Sequence, residues 1–398
     1  MNFRTLLTVG YGVIATVGIT VPHTSAAETV RFATFNVSLY DAAAGKLAER
    51  LSSRHDSQAS AIAEIIQRVR PDVLLLNEFD YDQSGTAIGN FQTHYLAAPQ
   101  NFSQSSDGPA KPIEFPYRFV APSNTGTHSG HDLDHNGRVV STAGNRDYGG
   151  DCWGYGEYPG KFAMVLLSRH PIDQAAARTF QKFLWKNMPG AKLPDNLATE
   201  ADADWYSPET LQRFPLSSKS HWDVPIKIAN RTIHVLASHP TPPIFDGLED
   251  RNGRRNHDEI RFWVDYVALG GGDYIYDDDG GKGGLATDEN FVIMGDLNGD
   301  PADGQGKTGI ARLLSSPRVS TQPEPKSAGG AEQARLQGGA NDAQRGDPSL
   351  DTLDASDRID TANKGPGNLR VDYVIPASGL KTLASGVFWP RMKISCFR

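Results

Sequence analysis

Short apolar runs, some alternating with polar residues, recur along the chain and end in polar or turn-forming residues. Such runs are typical of β-strands, and longer stretches with apolar residues at helical spacing are typical of amphipathic helices. The pattern predicts strands at 29–36, 72–77, 162–167, 231–237, 291–294 and 371–375, and helices at 59–69 and 258–269. The mixture of strands and helices indicates an α/β fold.

Long polar connections separate these elements. The longest are 79–160, 186–222 and 303–365, and the 40 Gly and 25 Pro in 398 residues support long ordered loops. Residues 323–347 are rich in Gly, Ala and Gln, which predicts a mobile excursion. The length suits one large domain or two ordinary ones, and it is ample for a proper core.

The N-terminus has the pattern of a secretory signal. Arg4 gives a positive start, residues 6–21 are mostly apolar, and Ser25-Ala26-Ala27 supplies small residues at a cleavage site. A single-pass anchor is the alternative, but glycines interrupt the apolar run and no basic stop-transfer segment follows it. We therefore expect 1–27 to be removed, leaving 28–398 as an exported monomer in the periplasm or outside the cell. No other stretch is apolar enough to span a membrane.

Net charge and cysteine content limit the possible substrates and the possible metal or disulfide sites. The formal net charge is −8, and since Arg4 is the only charged residue in 1–27, the mature chain carries −9. An acidic protein does not attract a nucleic-acid backbone as a whole, so nucleic acid is an open but disfavoured substrate. The two cysteines, Cys152 and Cys396, form no CxxC pair, which excludes a disulfide framework and a paired-cysteine zinc site. Their spacing leaves open whether they bridge.

Polar side chains that suit metal or phosphate binding stand at the ends of several predicted strands. Such ends commonly meet at one rim of a sheet, where chemistry is placed. Carboxylate and amide oxygens suit Mg²⁺, Mn²⁺ or Ca²⁺ rather than zinc or copper, and a histidine can donate to phosphate or move a proton. The residues are Asn36, Glu78, His239, Asp296 and Asn298, with Asp372 at the start of the last strand.

The segment beginning at Asp296 has two other interpretations. Asp and Asn often bond their own backbone, so an Asx-rich turn is one alternative. An EF-hand calcium loop is the other, but Pro301 stands where its glycine belongs and Lys307 stands at the twelfth position. A strand rather than a helix also precedes the segment, which excludes the EF-hand.

Several motifs occur in order along the chain: TFN at 34–36, DVLLLNEFD at 72–80, LLSRHPI at 166–172, ASHPTPP at 237–243, VIMGDLNGDP at 292–301 and RVDYVIP at 370–376. In this order they resemble the endonuclease/exonuclease/phosphatase superfamily, and the resemblance runs over about residues 29–390. It implies a four-layer α/β sandwich with two central mixed β-sheets flanked by helices. It also implies metal-assisted hydrolysis of a phosphate ester.

The resemblance assigns roles to the strand-end residues. Glu78 would be the principal metal ligand with Asn36 beside it, and Asp296 would orient or activate the attacking water. Asn298 would hold a phosphate oxygen, and His239 would donate to the phosphate. Taken singly, the glutamate could be a surface residue, the histidine a turn cap and the first asparagine a plain strand-end amide.

The chain departs from the family pattern at its C-terminal end. The family has a final strand ending in Ser-Asp-His, whose histidine is oriented by the carboxylate that corresponds to Asp372. Here no histidine follows His257, and the last residues read RMKISCFR. Loss of a general base commonly lowers rates by orders of magnitude. We expect a sheet that lacks its last strand, impaired catalysis and a truncated or frame-shifted reading frame, with a divergent terminus as the alternative.

Residues 131–138 contain half of a calcium-loop pattern. Asp132, Asp134 and Asn136 have the spacing of the first ligands and Gly137 occupies the sixth position. Ala143 stands at the twelfth position, where the bidentate glutamate belongs. A structural Ca²⁺ completed by residues from elsewhere and a solvated Asx turn are both open.

The segment after the histidine motif is rich in arginine. Guanidinium groups suit bidentate phosphate binding, so Arg251 and Arg255 are candidate substrate-binding residues. The alternative is a salt-bridged helix start, with Asp258 and Glu259 in its first turn. Tyr158, in a Gly-rich loop that the fold could bring over the site, is a third candidate.

The sequence thus predicts an exported, Mg²⁺- or Mn²⁺-dependent phosphoesterase of the nuclease or phosphatase type. Its substrate could be a nucleic acid, a phosphomonoester or a lipid headgroup. The alternatives are a catalytically impaired metal- and phosphate-binding member of the same fold and a secreted calcium-binding protein that uses residues 132–137.

Overall fold

The computed structural model describes residues 15–21, 28–355 and 365–391, with side chains over the last two ranges. Its framework is two mixed β-sheets that pack face to face. The strands are β1 (Ala15–Val21), β2 (Glu28–Leu39), β3 (Val73–Phe79), β4 (Tyr117–Phe119), β5 (Met164–Ser168), β6 (Arg178–Thr179), β7 (His221–Ile228), β8 (Arg231–Ser238), β9 (Asn290–Asp296), β10 (Asp372–Pro376) and β11 (Lys381–Val387). The first sheet has the order β11-β1-β2-β3-β5-β4, and the second has the order β10-β9-β8-β7-β6.

Helices flank the two sheets. They are α1 (Lys46–Arg50), α2 (Ser57–Val69), α3 (Thr86–Phe91), α4 (Arg146–Gly150), α5 (Pro208–Leu211), α6 (Arg251–Val267), α7 (Lys307–Leu314) and α8 (Ala328–Gln337). No helix of the described ranges is long and apolar enough to cross a membrane. The predicted α/β sandwich of two mixed sheets is confirmed.

Alternation along the strands divides the core into layers. In β3, Val73 and Leu75 join the core between the two sheets, whereas Leu74 and Leu76 join the core under α2. Successive side chains of a strand point to opposite faces, so a strand covered on both sides reads as a continuous apolar run. This explains why the predicted strand at 72–77 shows no alternation.

Helix α2 forms where the spacing predicts a helix, and local signals set its ends. The Asp56 carboxylate caps its first turn by accepting from the Ala59 amide at 2.7 Å. The helix stops at Arg70, which has a left-handed φ of 59° and precedes Pro71. Its apolar face packs on the first sheet through Ile62 and Ile66.

Helix α6 begins seven residues earlier than the apolar spacing predicts. Asp258 and Glu259 therefore lie in its middle and are fully buried, so the predicted first-turn role of these two carboxylates is wrong. The early turns are polar because Arg255 and Asn256 are buried with their side chains bonded to loop carbonyls. A search for apolar periodicity alone cannot detect a helix start of this kind.

Several elements occupy stretches with no strand or helix prediction. Strand β7 carries Pro225, a residue that disfavours strands because it lacks an amide donor, yet β8 pairs with β7 over its whole length. Helix α8 forms inside residues 323–347, where the composition predicts a mobile excursion, so that prediction is wrong for Ala328–Gln337. Ser327 caps this helix by accepting from the Gly330 amide.

The predicted signal segment contains a strand. Ala15–Val21 forms β1, which pairs antiparallel with β2 on one side and with β11 on the other. The rest of 1–27 lies outside the described residues, as do 392–398 with Cys396. Cys152 is a buried free cysteine.

Candidate active site at the strand ends

The predicted site residues lie where parallel strands of both sheets end together. β2 and β3 are parallel, with Asn36 opposite Asn77, so Asn36 and Glu78 share one edge of the first sheet. β8 and β9 are parallel in the second sheet, so His239 and Asp296 share its corresponding edge. Face-to-face packing of β2 on β9 brings the two edges together.

Asn36 links the two sheets at this edge. Its side-chain amide donates to Glu78 Oε1 at 3.0 Å and to Asp296 Oδ2 at 2.9 Å. The Ser38 hydroxyl donates to the other carboxylate oxygen of Glu78 at 3.3 Å. One amide group therefore sets the relative position of two carboxylates that come from different sheets.

The backbone at this edge is locally strained. Glu78, Asn298 and Ser38 have left-handed φ values of 56°, 50° and 43°. Non-glycine residues adopt this region at a cost on the order of 1–3 kcal/mol each and tend to cluster at functional sites.

Gly295 permits the close approach of β8 and β9 next to Asp296. A Cβ at this position would lie 1.9 Å from the carbonyl oxygen of Ser238. A side chain here would push the strands apart and move Asp296 away from His239. The glycine of the GDLN motif is thus required by the geometry of the site.

Asp296 is a buried carboxylate with a perturbed pKa. Burial raises its pKa to about 6, the hydrogen bond from Asn36 lowers it, and the nearby Glu78 charge raises it. The Asn298 amide donates to its other oxygen at 3.0 Å, which holds its orientation. A carboxylate with a pKa near neutrality suits proton transfer at physiological pH.

His239 faces Asp296 from the end of β8. Its Nε2 lies 3.6 Å from Asp296 Oδ2, and its Nδ1 is buried without a hydrogen-bond partner. Burial, followed by the positive charge of Lys219, holds the pKa of His239 well below its ordinary value. The imidazole is therefore neutral, and a neutral imidazole offers one donor and one acceptor.

Asp372 lies directly opposite Asp296 in the β9–β10 pairing. Burial, and then the charge of Asp296, raises its pKa well above the ordinary value, although a hydrogen bond with Thr352 lowers it. Its Oδ1 is buried without a partner. Three carboxylates thus crowd one edge of the sandwich.

Asn298 and the arginines have structural partners. The Asn298 amide nitrogen donates to the Pro240 carbonyl at 3.0 Å. The Arg255 guanidinium is buried and donates to the carbonyls of Leu216 and Pro215. Arg251 pairs with Glu249. The structure thus commits the arginines to protein groups, and phosphate binding by them stays a prediction.

Tyr158 also has protein partners. Its hydroxyl lies 2.5 Å from Asp80 Oδ2 and 2.7 Å from the Asp41 carbonyl. Burial raises the pKa of Asp80 to about 6, although the Tyr158 hydrogen bond lowers it. The tyrosine therefore anchors its loop to the end of β3 beside the site.

The predicted calcium segment contributes two of three clustered carboxylates. Among the described residues, the one group of three acidic or histidine ligands with atoms all within 4.8 Å of one another is Asp132, Asp134 and Asp151. The Asn136 backbone amide donates to Asp134 Oδ1 at 3.1 Å, as in an Asx turn, and Asp151 accepts from the Leu133 and Val140 amides. Asp151 is 18 residues from Leu133, and no local spacing indicated it.

Sequence reasoning missed two charged residues next to the site. Lys219 precedes β7, and Glu259 lies in the middle of α6. Both are buried, and both interact with the segments that carry the site residues. Neither belongs to a predicted strand end, which was the signal used to find the others.

A model of the endonuclease/exonuclease/phosphatase family matches residues 33–395. The chain belongs to this family. No match was found among curated proteins.

The chain is also similar to several solved structures, at low sequence identity. An endonuclease/exonuclease/phosphatase protein from Beutenbergia cavernae is 16% identical, with a TM-score of 0.43, and the match covers 89% of this chain and 66% of that one. A β-hairpin deletion mutant of beta toxin from Staphylococcus aureus is 13% identical, with a TM-score of 0.42 and coverages of 92% and 93%. Sphingomyelinase C from Streptomyces griseocarneus is 12% identical, with a TM-score of 0.41 and coverages of 88% and 84%.

Proposed function

We propose that this family member is an exported, Mg²⁺-dependent phosphoesterase that hydrolyses a phosphate ester with an activated water. The observation that carries the proposal is the Asn36 amide, which joins the Glu78 and Asp296 carboxylates across the two sheets. With His239 Nε2 at 3.6 Å from Asp296, the edge combines metal-ligand chemistry, a base and a hydrogen-bond donor.

The donor set fits a hard divalent cation. Burial, and then the charges of the neighbouring carboxylates, raises the pKa of Asp296 and Asp372, and one oxygen of Asp372 is buried without a partner. A nearby cation would relieve this repulsion, and carboxylate and amide oxygens are the ligands that Mg²⁺ prefers. Glu78, with the Asn36 amide oxygen, would hold the ion. When bound, Mg²⁺ supplies positive charge to the phosphate and lowers the pKa of a water.

The protein's own groups perform the remaining steps. Asp296 accepts the proton of the attacking water, since its pKa of about 6 leaves it ionised yet basic near neutral pH. The neutral His239 donates a hydrogen bond to a phosphate oxygen, and the Asn298 amide keeps Asp296 oriented. These groups are held in place before substrate arrives, which favours electrostatic stabilisation of the transition state.

A second candidate is a member of the family that binds Mg²⁺ and phosphate but turns over slowly or not at all. The observation that favours it is the buried Nδ1 of His239, which has no hydrogen-bond partner to orient the imidazole. In an optimised site such atoms are hydrogen-bonded.

The substrate class is not decided by the net charge alone. A charge of −8 disfavours broad attraction to nucleic acid, and phosphomonoesters and lipid headgroups remain open substrates. A Ca²⁺ ion at Asp132, Asp134 and Asp151 stays a prediction.

The test is hydrolysis of bis-p-nitrophenyl phosphate and p-nitrophenyl phosphate by the chain beginning at residue 28, with Mg²⁺ and with EDTA. We expect Mg²⁺-dependent turnover that Glu78→Ala abolishes. Glu49→Gln, an exposed carboxylate paired with Lys46, is the matched control and should leave turnover unchanged. Absence of turnover in a folded protein that still binds Mg²⁺ would favour the second candidate.

A further inference from the structure

Lys219 lies beside His239 at the end of the second sheet. β7 begins at His221, which pairs with Ser238 of the antiparallel strand β8. Residues just before β7 therefore run alongside residues just after β8, and Lys219 is adjacent to the segment of His239. Its side chain is only 6% exposed, which is rare for lysine unless a charge nearby stabilises it.

The charges around Lys219 are those of the candidate site. Three carboxylates stabilise the charged form of Lys219: Glu259, Glu78 and Asp296. The positive charge of Arg255 has the opposite effect. Burial, the largest of these effects, leaves the pKa of Lys219 below its ordinary value, although the three carboxylates raise it. The positive charge of Lys219 also lowers the pKa of His239. Lys219 thus lies close enough to Glu78, Asp296 and His239 for its charge to interact with theirs.

The ammonium of Lys219 is not used by the protein. Within the described residues it makes no hydrogen bond and no ion pair within 4.0 Å. Glu259 is the carboxylate that most strongly raises the pKa of Lys219, but both of its oxygens accept hydrogen bonds from other groups. One accepts from the Ser218 amide and hydroxyl, and the other accepts from the Thr241 amide at 2.6 Å. In a residue that is largely buried, an ammonium without protein partners is available to donate hydrogen bonds to a ligand.

Glu259 fixes the two segments that flank this ammonium. Ser218 immediately precedes Lys219, and Thr241 follows His239 by two residues. A single buried carboxylate therefore holds the backbone on both sides of the cation and the imidazole. Asn256, one turn earlier in α6, donates to the Thr241 and Leu297 carbonyls. It thereby holds the segments that follow β8 and β9.

We propose that Lys219 is a substrate-binding residue whose ammonium donates to a non-bridging phosphate oxygen beside His239. Glu259 acts as the positioning residue for both. The inference deepens the proposed phosphoesterase function and rests on it. In this arrangement Lys219 binds the phosphate group of the substrate, whereas Asn36 and Glu78 bind the metal ion.

The competing explanation is that Lys219 only balances the charges of Glu78 and Asp296. Both roles place a cation near carboxylates, but they differ in what its removal does. A charge-balancing lysine matters with or without phosphate present. A phosphate-binding lysine matters when phosphate is bound and leaves the affinity for Mg²⁺ alone unchanged or stronger, because a repelling positive charge is gone.

The experiment compares Lys219→Met and Lys219→Arg with the control Lys227→Met, an exposed lysine of β7. Calorimetry measures binding of inorganic phosphate to the Mg²⁺-loaded chain, and steady-state kinetics measure KM for bis-p-nitrophenyl phosphate. We expect Lys219→Met to weaken phosphate binding about 10- to 100-fold, the effect of losing one charge-assisted hydrogen bond. Lys219→Arg should retain binding within about threefold, and Lys227→Met should bind like the parent chain.

The outcomes separate the two proposals. If the parent chain shows no turnover but its phosphate binding is lost in Lys219→Met and kept in Lys219→Arg, the lysine proposal stands and the phosphoesterase proposal fails. If turnover and phosphate affinity survive Lys219→Met unchanged, the lysine proposal is overturned and the phosphoesterase proposal stands. Should the methionine variant not fold, phosphate affinity of Lys219→Gln and Lys219→Arg decides the matter in the same way.

Glu259→Gln tests the positioning role. We expect KM to rise about tenfold with a smaller change in kcat, since the variant displaces the binding cation rather than the base. Its effect should also be non-additive with that of Lys219→Met, because both act through one phosphate contact. Additive effects, or an unchanged KM, would overturn the assignment of Glu259 as the positioning residue.

Discussion

The side-chain nitrogen of Asn36 lies 2.9 Å from Asp296 Oδ2, although the two residues are 260 positions apart in the chain. The contact joins the C-terminal parts of β2 and β9, and the same nitrogen also donates to Glu78. The site is thus assembled at the seam between the two sheets. Its geometry depends on how those sheets pack.

Replacing the linking asparagine should separate the two carboxylates. Asn36→Ala removes both hydrogen bonds, and we expect kcat/KM for bis-p-nitrophenyl phosphate to fall about 100-fold, since a metal ligand and the base lose their common anchor. Ser38→Ala removes only the 3.3 Å contact to Glu78 and serves as the control, with an expected loss below about fivefold. Equal losses in the two variants would contradict the anchoring role.

Asp351 predicts a pH-dependent stability. Burial, and then the charges of Asp300, Asp303 and Asp347, raises its pKa to about 7. A carboxyl with a raised folded-state pKa stabilises the fold below its ordinary pKa, and this contribution is lost as the pH rises through about 7.

The variant Asp351→Asn removes this cost of ionisation. Relative to the parent chain, it should be more stable at pH 8 than at pH 4.5, by on the order of 3 kcal/mol in urea unfolding. Asp204→Asn is the control, because hydrogen bonds, first that of Thr199, lower the pKa of that partly exposed carboxyl instead of raising it. A difference between parent and Asp351→Asn that does not change with pH would show that the carboxyl is not buried as described.

Tyr158 is expected to stabilise its loop rather than bind substrate. Tyr158→Phe removes the hydrogen bonds to Asp80 and the Asp41 carbonyl, so the free energy of unfolding should fall by about 1–2 kcal/mol. The value of kcat/KM should stay within about threefold of the parent. Tyr117→Phe, at an exposed position, is the control for stability. A large loss of kcat/KM without loss of stability would instead support the substrate-binding prediction.

Export with cleavage after Ala27 predicts a mature chain that begins at Glu28. Intact mass measurement of the protein from the medium or periplasm checks this directly. Cleavage would also remove β1, which is the described neighbour of both β2 and β11.

The same cleavage has a structural readout. Amides of β2 that pair with β1 should exchange hydrogen faster in the chain beginning at residue 28 than in the full chain, because an edge strand leaves them unpaired. Amides of β9, in the other sheet, provide the internal reference. Equal protection of β2 in both chains, or an exported protein that retains 1–27, would contradict the prediction.

Much of the fold follows from local pattern. The apolar runs at 29–36, 72–77 and 291–294 all became strands, because alternation and short buried runs report directly on which faces are covered. β7 and the early turns of α6 were missed. Pro225 made the β7 segment unlike a strand in sequence. The start of α6 carries buried polar residues such as Asn256, whose partners are carbonyls of distant loops, so it lacks the apolar periodicity of a helix.

The sequence by itself determined the family, the strand ends and the chemical type of each strand-end residue, because these are properties of short segments. Only the tertiary structure decided which groups meet. It joined Asn36 to Asp296, added Asp151 to the acidic loop, committed Arg255 to the Pro215 and Leu216 carbonyls, and brought Lys219 and Glu259 to the site. The physical reason is that these contacts arise from the packing of two sheets and one helix, and no local spacing encodes the distance between residues that meet only when those layers close.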